Sequence, residues 1–273
     1  MIDIDILSEV YFCFDEPVPY KVNNGEIKIT PVRLQQSSLF LSSLPILMID
    51  KNSFPDPKVI QMSYLQFICG LLEESPIRKQ QLLNILILCL GLKYPEIKWT
   101  NGSASRPVIY DKILNIEITH KQFDDIKKII LYQNIVGYDD EYINPEFKKT
   151  MDMTNDLKNK GIVSPSLERK IAIISARTGI TKQEQLNMTY RSHSLLFKEV
   201  CEEVEYSTYG AIAAFNEKPL DNWIYKKEKN KFEDYVTSVD KYQQSMGGKS
   251  MIKSSDTTNI GDEYIQQYEN FNK

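Results

Sequence analysis

The order of hydrophobic and polar residues in the first third of the chain predicts a β-hairpin followed by a helix. Two short apolar runs flank the Asn-Asn-Gly sequence at residues 23–25, and asparagine and glycine tolerate the positive φ angles of tight turns. Before this hairpin, the apolar run VYFCF at residues 10–14 is a candidate buried strand. Thr30 followed by Pro31 is typical of an N-cap and the first helical position, and predicts a helix that ends by Pro45.

Two heavily apolar segments then predict a pair of antiparallel helices. Each begins where a capping residue precedes proline, at Asp56 and at Ser75. The first helix is predicted to continue to residue 74 and the second to end at Gly91, because glycine readily adopts the left-handed conformation of a C-cap. The most apolar run, at residues 82–92, is shorter than the roughly 20 residues that a membrane-spanning helix needs.

A small β element follows, and it leads into a capped helix. Residues 96–100, 108–111 and 115–118 are candidate strands. Thr119 and Gln122 form the T-x-x-Q pattern of a capping box, in which each side chain accepts a hydrogen bond from the other residue's backbone N–H. The residues expected on the buried face of this helix are Phe123, Ile126, Ile129, Ile130 and Tyr132.

An acidic loop and a polar helix separate the two halves of the chain. The loop at residues 136–146 carries Asp139 and Asp140, but the spacing of its acids does not match a calcium-binding loop. These acids are instead expected to complement the dipole at the N-terminus of the next helix. That helix, at residues 145–160, is mostly polar and is predicted to be an exposed connector.

The predicted fold class is therefore α+β and mainly α. It combines an N-terminal β-hairpin with helices, a small central β element, a C-terminal helical hairpin that begins at Ser164, and a flexible tail without an apolar period. The predicted parts are 1–143 (N-terminal α+β part), 144–163 (connector helix), 164–242 (C-terminal helical part) and 243–273 (disordered tail).

The segment ARTGITKQEQLNMTYRS, residues 176–192, predicts a helix, a tight turn and a second helix. Gly179 is expected to end the first helix, while Thr181 and Glu184 form a capping box that starts the second. DNA-binding helix-turn-helix units share this pattern, and their second helix presents basic and amide side chains to base edges. DNA binding is therefore the alternative function, and the residues that would carry it are Lys182, Gln183, Gln185 and Arg191.

Two features favour a packed helical hairpin over a DNA reader. The apolar stripe of the second helix continues to Val204, which predicts one long helix with His193 as a hydrogen-bonded packing residue and Arg191 on the surface. Residues 166–206 contain six basic and six acidic side chains, whereas neutralising several phosphates requires a basic surplus. Nucleic acid is therefore not the expected partner.

The composition is that of an ordinary globular protein. The chain has 273 residues, of which 42% are hydrophobic and 26% charged, enough for one large domain or two smaller ones. Its formal net charge of −4 also counts against a dedicated nucleic-acid binder. The N-terminus has neither the basic region nor the long apolar run of a signal peptide, so we expect a soluble protein that stays where it is made.

The chain contains no pattern that indicates catalysis, a metal or a cofactor. The Gly-Lys-Ser sequence at residues 248–250 lacks the glycine that a phosphate-binding loop needs at position 243. The two histidines, His120 and His193, have no cysteine at metal-ligand spacing, and no G-x-S-x-G or H-E-x-x-H sequence occurs. We therefore predict no catalytic residue, no metal site and no cofactor, in a protein that is not an enzyme.

Three segments of the chain carry a resemblance to known proteins, namely ITHKQFDDIKKIILYQNI, which ends in a Tyr-Gln-Asn element, LERKIAIISARTGITKQEQLNMTYRSHSLLFKEV, and YGAIAAFNEKPLDNWIY. They resemble parts of proteins of tailed bacteriophages of Gram-positive hosts, and the second also resembles phage tail assembly chaperones. The resemblance extends over about residues 116–225. Because these motifs are packing and capping patterns, the resemblance carries over no catalytic residue.

The resemblance implies a non-enzymatic bacteriophage assembly protein that acts by protein–protein contacts. Tail assembly chaperones coat the tape-measure protein before tube subunits replace them, and a minor tail, neck or baseplate component would have similar sequence features. The expected partners are phage virion proteins, namely tape-measure or tail proteins, or a second copy of this chain, without nucleic acid or membrane. The expected location is the host cytoplasm or the virion.

Two segments are candidate surfaces for binding these partners. One is the polar helix around residues 147–160, and the other is the aromatic and basic stretch at residues 223–235. Aromatic residues are enriched where protein interfaces gain most of their binding free energy. The candidate partner-binding residues are Phe147, Lys148, Trp223, Tyr225, Phe232 and Tyr235.

Overall fold

A computed structural model describes residues 2–54, 56–73, 75–100, 106–158, 161, 163–215 and 224. Within these residues the fold is α+β and mainly helical, as predicted. Trp223, Tyr225, Phe232, Tyr235 and the predicted tail at 243–273 lie outside the described residues.

The helices of the described chain are α1 (Ile4–Val10), α2 (Ser37–Ser43), α3 (Pro45–Met48), α4 (Pro57–Gln61), α5 (Tyr64–Glu73), α6 (Pro76–Leu90), α7 (His120–Asn134), α8 (Pro145–Lys158), α9 (Leu167–Thr178), α10 (Lys182–Asn187) and α11 (Tyr190–Phe215). The strands are β1 (Val18–Val22), β2 (Gly25–Ile29), β3 (Pro95–Trp99), β4 (Pro107–Asp111) and β5 (Ile116–Thr119). Short 3₁₀ turns lie at Phe12–Phe14, Leu34–Gln36 and Lys51–Ser53.

The predicted N-terminal hairpin is confirmed. Strands β1 and β2 pair antiparallel, with Val18 opposite Ile29 and Val22 opposite Gly25. Gly25 has a φ of 154°, whereas neither asparagine of the turn adopts a positive φ. This register places Val18, Ile27 and Ile29 in the core.

The central β element is a three-stranded antiparallel sheet with the order β3-β4-β5, as predicted. Ile109 of the middle strand pairs with both Ile97 and Ile118. Helix α7 begins directly after β5 through the predicted capping box, in which the Gln122 side chain accepts the Thr119 N–H at 2.9 Å. Four of the five residues expected on its inner face are buried, and Tyr132 is half-buried.

The core lies where α5, α6 and α7 meet the hairpin and the central sheet, and α7 contacts both sheets as well as α1, α5 and α11. Among its fully buried side chains are Ile29, Phe40, Leu65, Ile68, Leu82, Ile85, Leu86 and Phe123. The predicted start of α6 at Ser75 and its end at Gly91, where φ is 65°, are confirmed.

The predicted strand at residues 10–14 is wrong, because the chain is helical there. The Asp3 carboxylate accepts hydrogen bonds from two N–H groups of the first turn of α1 and starts that helix. Of the apolar run that suggested a strand, Phe12 is buried while Val10 and Phe14 are exposed. The run therefore covers one edge of the core without pairing with a strand.

The predicted helix start at Thr30 and Pro31 is also wrong, because residues 30–33 are not helical and bond to distant elements. Thr30 N–H donates to the Cys89 carbonyl at 2.7 Å, and Val32 N–H donates to the Asn134 side chain at 2.7 Å. The Val32 carbonyl accepts the N–H at the start of α11. Helix α2 consequently begins only at Ser37.

The single helix predicted from Asp56 to residue 74 is divided into α4 and α5. Asp56 does cap α4, where its carboxylate accepts the Lys58 N–H at 2.9 Å. The chain then leaves the helical conformation, and Ser63 starts α5 with its N–H donating to the Gln66 side chain at 3.1 Å. This second cap was not identified in the sequence.

The predicted turn after α9 is confirmed, but the long helix after it is wrong. Gly179 ends α9 with a φ of 77°, and Thr181 with Glu184 starts α10. Helix α10 has only six residues, because Met188 and Thr189 pair with the extended segment before the turn at Leu34–Gln36. Helix α9 begins after Ser166, which caps it in place of the expected Ser164.

Candidate functional site

The junction between α10 and α11 packs into the N-terminal half of the molecule. The Asp15 carboxylate accepts hydrogen bonds from Thr189 Oγ1 at 2.6 Å and from Ser192 Oγ at 2.8 Å. Leu34 N–H donates to the Met188 carbonyl at 2.8 Å. These contacts join segments on opposite sides of the predicted connector, although the division of the chain into parts stays a prediction.

The four residues of the DNA-binding alternative have different surroundings. Lys182 and Gln183 are exposed at the start of α10. Gln185 is fully buried, and its amide nitrogen lies 2.8 Å from Ser175 Oγ and 3.1 Å from the Ile180 carbonyl. Gln185 therefore holds the helical hairpin together from inside and is not available to base edges.

Arg191 was expected on the surface, but it is half-buried. Its Nη1 atom donates to the Tyr132 carbonyl near the end of α7 at 2.9 Å. A guanidinium bonded to a main-chain carbonyl in this way fixes α11 against α7. The DNA-binding alternative thus retains only Lys182 and Gln183 as exposed side chains, and no observation favours it.

We expect Gln185→Ala to lower the free energy of unfolding by about 1–2 kcal/mol, because it removes a buried hydrogen-bonding amide and leaves a small cavity. The matched control is Gln183→Ala, which makes the same change at an exposed position of the same helix. Urea denaturation followed by circular dichroism measures both variants. Equal effects of the two substitutions would contradict the structural role of Gln185.

Helix α8 carries the two described members of the predicted partner surface. Phe147 is half-buried, whereas Lys148 is exposed and its Nζ lies 3.5 Å from the Asp50 carboxylate. An exposed ion pair of this kind contributes little to stability. Farther along the helix, Met153 and Leu157 are exposed one turn apart, so α8 offers a small apolar surface.

Of the loop acids expected to complement the dipole of α8, Glu146 lies in the first turn of that helix, whereas Asp140 is bound to α7. The Asp140 carboxylate accepts the Tyr132 hydroxyl at 2.6 Å and pairs with Lys128 at 2.9 Å, which fastens the loop to α7. Burial tends to raise the pKa of Asp140, but the bonds from Tyr132 and Lys128 outweigh this and hold the pKa below its ordinary value. Asn144 caps α8 instead, since its side chain accepts the Glu146 N–H at 2.9 Å.

A cluster of ionisable groups lines a cleft of about 200 Å³ between α5 and α7. Lys127 Nζ lies 3.4 Å above the centroid of the Tyr64 ring, and burial lowers the pKa of this amine to about 8. Burial also raises the pKa of Asp124, whose carboxylate accepts the Tyr64 N–H at 2.7 Å. Lys127 and Asp124 of α7 both contact Tyr64 at the N-terminus of α5, so the cluster links these two helices.

The far half of α11 carries an apolar face that lies in solvent. Val204, Ile212 and Phe215 are 45%, 52% and 91% exposed. At 100° per residue these three side chains lie within an arc of about 80°, and we call them the α11 stripe. Val204 was expected to end the packed stripe of this helix, so its exposure corrects that expectation.

An ion pair on the opposite side of α11 orients the stripe. The guanidinium of Arg177 on α9 makes a bidentate pair with the Glu203 carboxylate, in which Nε lies 2.9 Å from Oε2. Glu203 lies on the other side of the helix from the α11 stripe, so the pair turns the stripe toward solvent. The sequence shows the apolar spacing, but periodicity alone does not tell which face of a helix is covered.

The described residues contain neither a cluster of three potential metal ligands nor a helix long and apolar enough to cross a membrane. The arrangement that stands out among the described residues is the exposed apolar α11 stripe. Comparisons of the chain with protein-family models, with curated proteins and with solved structures find no match.

Proposed function

We propose that this protein is a non-enzymatic bacteriophage assembly protein, of the tail assembly chaperone-like kind, that works through protein–protein contacts. The observation that supports the proposal is the α11 stripe, because large apolar side chains grouped on one exposed face mark interaction surfaces. The resemblance of residues 116–225 to phage tail proteins supplies the class of partner.

The partner that fits the stripe is an amphipathic helix of a tape-measure or tail protein. Side chains at positions 204, 212 and 215 follow helical spacing, and a partner helix would bury them with its own apolar face. Glu205 lies beside the stripe and is exposed. A basic residue next to the partner's apolar face would complement this charge and favour association.

The double variant Ile212→Glu with Phe215→Glu tests the surface directly. Each substitution places a charge where the partner's apolar face would bind, so we expect at least a tenfold loss of recovered partner, which corresponds to about 1.4 kcal/mol. The measurement is affinity capture from infected cells, with tape-measure and tail proteins quantified by mass spectrometry. Because the replaced side chains are exposed, the urea midpoint should be unchanged.

The control is Ile77→Glu, which introduces one such charge at an isoleucine that is 73% exposed in the first turn of α6. This control should recover the same amount of tail protein as the original chain. Recovery of no virion protein by the original chain would refute the proposed function. Equal recovery by the double variant and the control would refute the role of the α11 stripe.

A further inference from the structure

A second cleft, which we call the His193 cleft, lies between α2, α9 and α11 and has a volume of about 230 Å³. Its walls are mainly apolar but include one histidine and one lysine. Sites for drug-sized ligands usually measure roughly 300–1,000 Å³, so this cleft suits a smaller molecule. The lining residues that matter here are Leu41, Leu167, Lys170, Tyr190, His193 and Phe197.

His193 is the unusual member of this lining. The residue is only 2% exposed, and its Nε2 atom has no hydrogen-bond partner among the described residues, contrary to the expectation of a hydrogen-bonded histidine. A buried polar atom without a partner lowers the free energy of unfolding. A ligand atom that bonds to Nε2 would recover this free energy.

The surroundings of His193 favour its neutral form, and this defines what it offers to a ligand. Burial, assisted by the positive charge of Lys170, lowers the pKa of His193 below its ordinary value. A neutral imidazole has one protonated nitrogen, so the tautomer with hydrogen on Nε2 offers a single hydrogen-bond donor. That donor suits a carboxylate or carbonyl oxygen.

The two serine hydroxyl groups in the same lining are already used within the protein. Ser37 Oγ donates to the Leu34 carbonyl at 2.6 Å, and Ser194 Oγ donates to the Tyr190 carbonyl at 2.7 Å. Neither serine therefore has a proton left for a ligand. The nitrogen donors of the cleft are Lys170 and His193.

Lys170 gives the cleft a single positive charge. Its Nζ lies 5.4 Å from the centroid of the Phe197 ring and forms no salt bridge with any described residue. One ammonium group balances a monoanion, whereas a dianion such as a phosphate monoester would leave excess charge against apolar walls. The rings and leucines around it then suit an apolar ligand body.

We propose that the His193 cleft binds a small monocarboxylate with an apolar body. The carboxylate lies at Lys170 Nζ and His193 Nε2, and the body packs against the aromatic rings and the leucines. This site is separate from the α11 stripe, and its occupancy does not depend on the proposed function.

Histidine NMR tests this proposal with phenylacetate as the probe, because the chain has only two histidines. We expect phenylacetate to shift the His193 resonances saturably, with a dissociation constant in the millimolar range, and to leave those of His120 unchanged. The ¹⁵N shifts should move toward the tautomer protonated at Nε2. Phenylacetamide, which has the same shape without the charge, should bind at least tenfold more weakly.

The variant Lys170→Gln should weaken phenylacetate binding at least fivefold, since it removes the charge that pairs with the carboxylate. Lys182→Gln is the matched control at an exposed lysine of α10 and should bind as the original chain does. His193→Gln assigns the two sets of resonances. The proposal is overturned by unchanged His193 resonances, by equal shifts at both histidines, by equal binding of the amide, or by unchanged affinity in Lys170→Gln.

Discussion

Replacing Asn134 by alanine is expected to lower the free energy of unfolding by about 3 kcal/mol, although the residue touches no candidate site. Asn134 is fully buried at the end of α7. Its Oδ1 accepts the Val32 N–H at 2.7 Å, and its Nδ2 donates to the Ile130 carbonyl at 2.8 Å. The substitution leaves the buried Val32 N–H without an acceptor and also opens a cavity.

Urea denaturation of the variant measures this loss, and Asn187→Ala is the matched control. Asn187 is exposed at the end of α10, so the same substitution there should change stability by less than about 0.5 kcal/mol. A loss below about 1 kcal/mol in Asn134→Ala would show that water or another group replaces the amide. In that case the extended segment at residues 30–33 would not depend on this bond.

The large expected effect reflects what the end of α7 does in the fold. The adjacent Gln133 donates from Nε2 to the Glu16 carbonyl at 3.1 Å and to the Ile29 carbonyl at 3.3 Å. Tyr132 holds the following loop through Asp140. The Tyr-Gln-Asn element, noted in the sequence only as part of a resemblance, therefore fastens separate segments to one helix end.

Local capping signals in the sequence predicted much of this fold correctly. The boxes at Thr119 and Thr181 and the C-cap glycines at 91 and 179 each involve groups within a few residues of one another, so a short window contains the whole interaction. The hairpin and the three central strands likewise follow from short apolar runs separated by turn residues.

The sequence failed where distant partners decide the local conformation. Thr30 and Pro31 have the residue types of a helix start, but the backbone groups of residues 30–33 bond to α6, α7 and α11. The predicted long helix is interrupted at Met188 for the same reason, because the Met188 carbonyl accepts the N–H of Leu34, directly after this segment. Such competition between local and long-range bonds is not encoded in any window of neighbouring residues.

The candidate surfaces were predictable to a smaller extent. The spacing of Val204, Ile212 and Phe215 is visible in the sequence, but a periodic stripe is equally consistent with a covered or an exposed face. The missing partner of His193 Nε2 depends on three helices that meet only in the folded chain. Gln185 shows the converse, because its polar side chain suggested a surface position and the fold buries it.

The largest loss of stability is expected for Asp111→Asn, at about 4 kcal/mol at pH 7. Asp111 is fully buried at the end of β4. Its Oδ2 accepts the N–H groups of Lys93 and Tyr94 at 2.6 and 2.8 Å, and its Oδ1 accepts those of Ile113 and Leu114 at 2.9 Å each. An asparagine amide would turn N–H groups toward two of these four donors, so both bonds would be replaced by repulsion.

The pH dependence of this stability loss shows whether the charge or the shape of the Asp111 side chain is responsible for it. Burial tends to raise the pKa of Asp111, but the four N–H bonds outweigh burial and hold the pKa below its usual value of 3.8. A depressed pKa in the folded state contributes stability that is present above the unfolded pKa and is lost as pH falls through the folded pKa. The stability difference between the original chain and Asp111→Asn should therefore be constant from pH 7 to 5 and shrink below about 4.

Asp152→Asn is the control for this comparison, because Asp152 is an exposed carboxylate on α8 and the same substitution should change stability by less than about 0.5 kcal/mol. Urea denaturation at a series of pH values provides the measurement for both variants. A stability difference that stays constant below pH 4 would mean that the four N–H groups respond to the shape of the side chain and not to its charge. The carboxylate would then not be the group that holds the end of β4 to the loop before β3 and to the turn that leads into β5.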